Sequence, residues 1–219
     1  MYNKILLILL FPFGLTGQGF SHADSLRGTL SPARTCFDVL HYDLHVAVNP
    51  QEKSITGNNN IRFITTRKTS EIQLDLFANL IIDEIRWANK KVNFRRDGNA
   101  IFIQAAKEVP ANQLQTVWVK YHGQPRPAVK PPWDGGFSWT KDPQGNPWVT
   151  VSCEGLGASV WWPCKDHPSD EPESMDIHIE GPKGLISVSN GNLVEKISKA
   201  TTDKYHWKVS YPINLYNVS

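Results

Sequence analysis

The sequence predicts an all-β fold, an antiparallel sandwich or saddle interrupted by one long loop rich in Pro, Gly and Trp. Three observations carry this reading. Apolar and polar residues alternate with a period of two in short runs along most of the chain. The runs recur about every eight to fifteen residues and are separated by Gly, Pro, Asn and Asp clusters. No stretch holds a helical period for more than about two turns, so layered sheets are the expected way to bury a core.

In chain order, residues 1–19 come first: Lys4, then the apolar run Ile5 to Phe11, then the small residues Gly14, Thr16 and Gly17. That is the layout of a secretory signal peptide, too short and too interrupted by Pro12 to span a bilayer. Residues 20–35 are polar, with Gly and Pro, and read as a flexible lead-in. Residues 36–219 read as one β-domain. Residues 36–48 alternate, with Leu40, Tyr42, Leu44, Val46 and Val48 on the inner parity and Val39, His41, Asp43 and His45 on the outer. Residues 49–53 turn, and residues 55–66 return with Ile61, Phe63 and Thr65 inward. Further strands are expected at residues 71–77, with Ile72, Leu74 and Leu76 inward, and at 81–87, 90–94, 100–104 and 115–121. Arg96-Asp97-Gly98-Asn99 is a hairpin turn.

Residues 124–145 break the pattern with five prolines and three glycines, and carry Trp133, Phe137 and Trp139. A loop of this length is either functional or a surface excursion whose aromatics pack back on the sheet. After it, residues 148–151 form a short strand that leads into Glu154, the turn Gly155-Leu156-Gly157 and an acidic, proline-punctuated loop to Glu173. Residues 174–180 are a strand, residues 185–189 pair back on it, and Ser189-Asn190-Gly191-Asn192-Leu193 is a tight turn. Residues 205–209 and 213–218 are the last strands, and the sequence stops within a run that reads as a sheet meant to continue.

Composition narrows the function. Hydrophobic residues are 40% and charged residues 20%, as in globular chains. A formal net charge of +2, with no basic stripe, argues against a nucleic-acid partner. After the first residues no apolar run is long enough for a stable membrane span. Eight Trp, five of them between Trp133 and Trp162, make either a thick core or a ligand wall. The three cysteines are an odd set; Cys153 and Cys164 either bridge or, as expected, remain small buried thiols.

None of the seven histidines is followed by Glu, so the chain holds no His-Glu-x-x-His zinc helix. His41 and His45 lie about 13 Å apart along one strand, too far to share an ion, and read as solvent-face histidines. Cys153, Cys164 and His167 with Asp166 or Asp170 match no compact zinc spacing, so no metal site is expected, and the loop from Asp166 to Glu173 reads as structural.

Four motifs, in order, resemble the N-terminal β-domain of the aminopeptidase N family of zinc peptidases, which includes leukotriene hydrolase. They are Tyr42-Asp43-Leu44 through Ile61 and Phe63, then Val151-Ser152-Cys153-Glu154, then Trp162-Pro163-Cys164-Lys165-Asp166-His167-Pro168, and last Ser189 to Leu193. The resemblance implies an exported zinc aminopeptidase that removes N-terminal residues from peptides. Its thermolysin-like catalytic domain, with Zn2+ held by two His and one Glu, lies outside these 219 residues, so this chain alone carries no catalytic residues and is expected to be inactive. It also implies that Glu154 grips the substrate's α-ammonium through a charge-assisted hydrogen bond, with Ser152, Gly155 and Gly157 as further substrate-binding residues. Ser152 stands where the family has Gln, which changes the pocket. Two alternatives stay open: Glu154 as a surface carboxylate at a strand end, and the chain as a secreted β-sandwich that binds carbohydrate or protein without catalysis.

Overall fold

The computed structural model describes residues 19–219; the signal-peptide expectation lies outside the described residues but for Gly19. Among the described residues, thirteen strands form three sheets. The large sheet holds β1 (Phe37–Asn49), β2 (Ser54–Thr65), β4 (Leu80–Trp87), β5 (Lys90–Lys91), β8 (Leu114–Gly123), β11 (Ser174–Pro182), β12 (Asn192–Ser198) and β13 (Thr202–Val209), in the order β12-β13-β11-β1-β2-β8-β4-β5. A three-stranded sheet is built from β3 (Thr69–Asp75), β7 (Ala100–Val109) and β6 (Phe94–Asp97) in that order, and β9 (Gly136–Lys141) pairs with β10 (Pro147–Ser152) as a separate ribbon. The all-β class holds, with one difference from a purely antiparallel fold: β1 and β11, about 130 residues apart in sequence, run parallel.

Alternation places the core as expected on most strands. Tyr42, Leu44 and Val46 of β1, Ile61 and Phe63 of β2, Val117, Val119 and Tyr121 of β8, and Met175 and Ile177 of β11 are buried in one cluster with Ile72 and Leu74 of β3 and Ile101 and Ile103 of β7. At the start of β1 the parity reverses. Val39 is buried and Leu40 only half-buried, because the register against β2 shifts between Val39 and His41. A bulge adds one residue to one strand and so exchanges its faces.

Strand β3 shows why the lead-in is not the flexible segment its composition suggested. Ile72 and Leu74 face the core, yet Gln73 and Asp75, on the opposite parity, are also buried. What covers them is the lead-in, which forms α1 (His22–Gly28) and the single turn α2 (Pro32–Thr35). Ser21 and Asp24 close a capping box on α1. Ser31 Oγ donates to Gln73 Oε1 at 3.0 Å, and Gln73 Nε2 donates to the Leu26 carbonyl at 3.0 Å. Arg34, wholly buried, meets both oxygens of Asp75 at 2.8 and 2.9 Å. Its Nη donors also reach the Arg27 and Leu26 carbonyls at 2.6 and 3.0 Å, while Nε is buried without a partner.

Three other expectations change. The long loop contains β9, hidden in the sequence by Gly135, Gly136 and Pro143 around a short alternation. Residues 185–189 form no strand; Ile186 and Val188 stay exposed, and β13 rather than that segment pairs with β11. Residues 213–218 form a 3-10 turn, Leu215–Asn217, because Asn214 Oδ1 accepts from the Tyr216 amide at 2.9 Å and closes a local turn after Pro212. The expected tight turn at Asn190-Gly191 has a second cause. Gly191 sits at φ +88° directly over the Lys208 carbonyl, where a Cβ has no room.

Removing one partner of a buried, hydrogen-bonded ion pair strands the other charge. Arg34→Met is therefore expected to lower unfolding free energy by about 3–5 kcal/mol. Arg34→Met with Asp75→Leu is expected to cost less than the two single changes summed. Urea denaturation of the four proteins measures both; additive losses would show that the pair is not coupled.

Candidate functional site

The ribbon β9–β10 delivers the chain to the candidate site. Phe137 of β9 is buried against Trp139 and Trp161, ring centroids 5.1 and 6.3 Å away, so the aromatics of the long loop partly pack back on the core. Trp161 and Trp162 are themselves core residues, whereas Trp133 and Trp148 are 81% and 60% exposed. At the end of β10 the chain leaves the ribbon through a tight turn. The amides of Leu156 and Gly157 both donate to the Cys153 carbonyl, at 3.1 and 2.8 Å. Gly155 and Gly157 carry φ of +67° and +85°, the left-handed region that favours glycine. A 3-10 turn, Ala158–Val160, follows.

Asp166 holds that turn. Its carboxylate accepts from the amides of Ala158 and Ser159, at 3.3 and 3.0 Å, and from Ser159 Oγ at 2.6 Å. Its own amide donates to Asp75 Oδ2 at 3.2 Å, which joins the turn to the Arg34 pair. The adjoining loop is pinned at several further points. Asp75 and Cys164 exchange backbone hydrogen bonds of 2.7 and 3.1 Å. Asn59 Nδ2 donates to the Pro163 carbonyl at 2.9 Å, and Lys165 Nζ to the Phe37 carbonyl at 2.6 Å while also pairing with Asp170. Asp166 and Asp170 are thus structural, as the sequence suggested for this loop.

The predicted residues separate in role. Glu154 is half-buried at the apex of the turn, and its Oε2 accepts from the Tyr216 hydroxyl; its carboxylate holds the Tyr216 phenol above its ordinary value. Among the described residues, no Lys, Arg or His stands within ion-pair distance of it. A cleft of about 740 Å³ opens beside it, walled by Cys153, Gly155, Gly157, Asp166, His167 and Tyr216, with α1 on the other side. Glu154 is not itself a wall residue; it lies between two of them in sequence and contacts a third, Tyr216. Gly155 is exposed with open space at its Cα, and its carbonyl accepts from Arg27 Nη1 at 2.7 Å. Gly157 is buried flat against the Asp166 carboxylate, so its missing side chain makes room for Asp166. Ser152 turns to its own scaffold: Oγ donates to the Pro132 carbonyl at 2.8 Å and accepts from the Glu154 amide at 3.3 Å. Tyr216, Arg34 and Asp75 escaped sequence reasoning. Only the Asn two residues before Tyr216, a turn former, hinted that its segment was not a strand.

All three cysteines are free and buried, so Cys153 and Cys164 do not bridge. Burial, reinforced by Asp166, pushes the Cys153 thiol up to about 12 and lifts Cys164 as well. Neither is a thiolate nucleophile or a ready metal ligand at neutral pH. The chain lacks the His-Glu-x-x-His donor set of a zinc peptidase, so a zinc of that kind finds no ligands here. Among the described residues, Asp43, His45 and His178 do bring donor atoms within 4.8 Å of one another, on the large sheet far in sequence from the turn. No helix among the described residues is long and apolar enough to cross a membrane.

The fold is shared with solved peptidases. An M1 zinc metallopeptidase from Deinococcus radiodurans superposes with a TM-score of 0.71 at 19% identity, over 83% of this chain and 41% of that one. Leukotriene A4 hydrolase from Saccharomyces cerevisiae gives 0.66 at 23% identity, over 88% of this chain and 30% of that one. The chain therefore spans less than half the length of these solved proteins. No curated protein matches it in sequence. The model of the Peptidase M1 N-terminal domain matches residues 39–216, from the first strand of the large sheet to the tyrosine that meets Glu154, and the chain belongs to that family.

Proposed function

We propose that this chain is the substrate-anchoring domain of an exported zinc aminopeptidase and that Glu154 receives the peptide's N-terminal ammonium. The observation that carries this reading is the state of the Glu154 carboxylate: half-buried, set on a turn braced from beneath, and met by a neutral hydroxyl rather than a cation. A carboxylate so placed has one oxygen oriented by Tyr216 and retains capacity to accept from an ammonium. A fixed anchor sets the distance from the peptide terminus to the bond being cut and gives exopeptidase selectivity. Cleavage itself belongs to the thermolysin-like domain and its Zn2+, whose ligands this sequence does not contain. Export rests on the apolar run near the amino terminus. The carbohydrate-binding alternative draws less support, since Trp161 and Trp162 are spent in the core.

In the enzyme that carries this domain, Glu154→Gln is expected to lower kcat/KM on free-amino substrates by about ten- to a hundredfold. Activity on N-acetylated analogues, however small, is expected to stay unchanged. Equal losses on both substrate types would count against an amine anchor. The two glycines should also part company in thermal denaturation. Gly155→Ala is expected to cost about 1–2 kcal/mol, the left-handed penalty alone. Gly157→Ala, which also displaces Asp166 from its hydrogen bonds, is expected to cost at least about 3 kcal/mol.

A further inference from the structure

The outer face of the large sheet carries a grid of histidine and aspartate that plays no part in the anchor. Residues two apart on a strand share a face, and residues in register on neighbouring strands stand side by side. Asp43 and His45 of β1 lie beside Asp176 and His178 of β11, and His178 lies beside His206 of β13. The imidazoles of His45, His178 and His206 stack as a column, with centroids 4.0 Å apart at each step. His41 and His45 do not meet each other, as expected from their separation along one strand. Each instead finds an aspartate, His41 across the strand at Asp176 and His45 at Asp43.

One part of this grid converges. His45 Nε2 lies 2.9 Å and His178 Nε2 3.4 Å from the same oxygen, Asp43 Oδ1. That oxygen is closed to solvent yet receives no well-aligned hydrogen bond, and His178 Nδ1 is likewise buried without a partner. Two imidazole nitrogens 2.9 and 3.4 Å from one carboxylate oxygen, all three residues offering donor atoms within 4.8 Å of one another, are grouped as ligands of a single four-coordinate ion whose bonds are about 2.0–2.2 Å. We propose that Asp43, His45 and His178 bind one divalent ion of the zinc class, with an open coordination position toward solvent.

The donor set chooses the ion. Two nitrogens and one oxygen suit zinc, cobalt or nickel rather than magnesium or calcium, which take oxygen ligands. Access is open, since the Asp43 and His45 side chains are each about one-third exposed. Two features oppose the ion and make the proposal specific. The His45 and His178 rings lie within 4° of parallel, so they must tilt about their soft terminal torsions to share it. Lys204 Nζ sits 3.2 Å from His45 Nδ1, which fixes the ring proton on Nε2; ligation through Nε2 requires that lysine to leave.

The test is titration of the full chain with Zn2+ by calorimetry and with Co2+ by visible absorption, circular dichroism confirming the fold of each variant. One ion per chain is expected, bound at least about tenfold more weakly by His45→Ala and by Asp43→Asn. Lys204→Met is expected to bind more tightly. His122→Ala, which removes a separate histidine–aspartate pair with Asp83, is expected to bind as the parent does. No saturable binding, or binding unchanged in both His45→Ala and Asp43→Asn, overturns the proposal. His45 is partly exposed and its replacement leaves the core intact, so this variant decides the matter if His178→Ala fails to fold.

Discussion

The guanidinium of Arg34, sealed from water against Asp75, is the constraint on which the rest depends. Burial drives the Asp75 carboxyl upward, and the charge of Arg34 is the main force opposing that rise. A charge so placed is tolerated when it is paired and hydrogen-bonded, as both Nη groups are, Nε alone lacking a partner. Here the pair's hydrogen bonds reach into three separate segments: the lead-in through Leu26 and Arg27, strand β3 through Asp75, and the loop after the second Trp through the Asp166 backbone. Unfolding any one of the three would expose or strand a charge in the other two. The pair therefore couples segments that have little regular structure to share.

That coupling is what a loop site needs. The turn from Cys153 to Val160 has no sheet partner of its own; it is held by Asp166 from below and by the packing of Trp161 and Trp162. Asp166 can take up its position because Gly157 offers no side chain and because Asp75 receives its amide. Glu154 rides on the finished turn, and the 3-10 turn closed by Asn214 brings Tyr216 to meet it. A carboxylate mounted this way would lose little freedom on accepting an ammonium, as the proposed role requires.

Much of this was legible in the sequence. Period-two alternation fixes the faces of β1, β2, β3 and β8 because one face of each meets a single core. The turn residues Gly155 and Gly157 were visible from local pattern, and Glu154, the proposed anchor, was singled out by resemblance to a known family. What escaped did so for definite reasons. The bulge at the start of β1 exchanges faces, and alternation contains no sign of an inserted residue. Gln73 and Asp75 read as a solvent face because the polar lead-in that covers them has no apolar stripe to announce that it docks. Tyr216 read as a strand residue because an Asn side chain, rather than a hydrophobic pattern, sets the local backbone. The histidine grid depends on the parallel pairing of β1 with β11, a contact no local rule supplies.

The most direct measurement of the account is hydrogen exchange at the amides of Ala158, Ser159 and Asp166 in the intact chain. The buried network predicts that these three amides are protected nearly as well as the central strands, and that Arg34→Met releases them while leaving the β1–β2 pairing protected. Exchange at these amides as fast as in the exposed turn at Asp142 to Asn146 would contradict it, since the turn bearing Glu154 would then not be held by the interactions described.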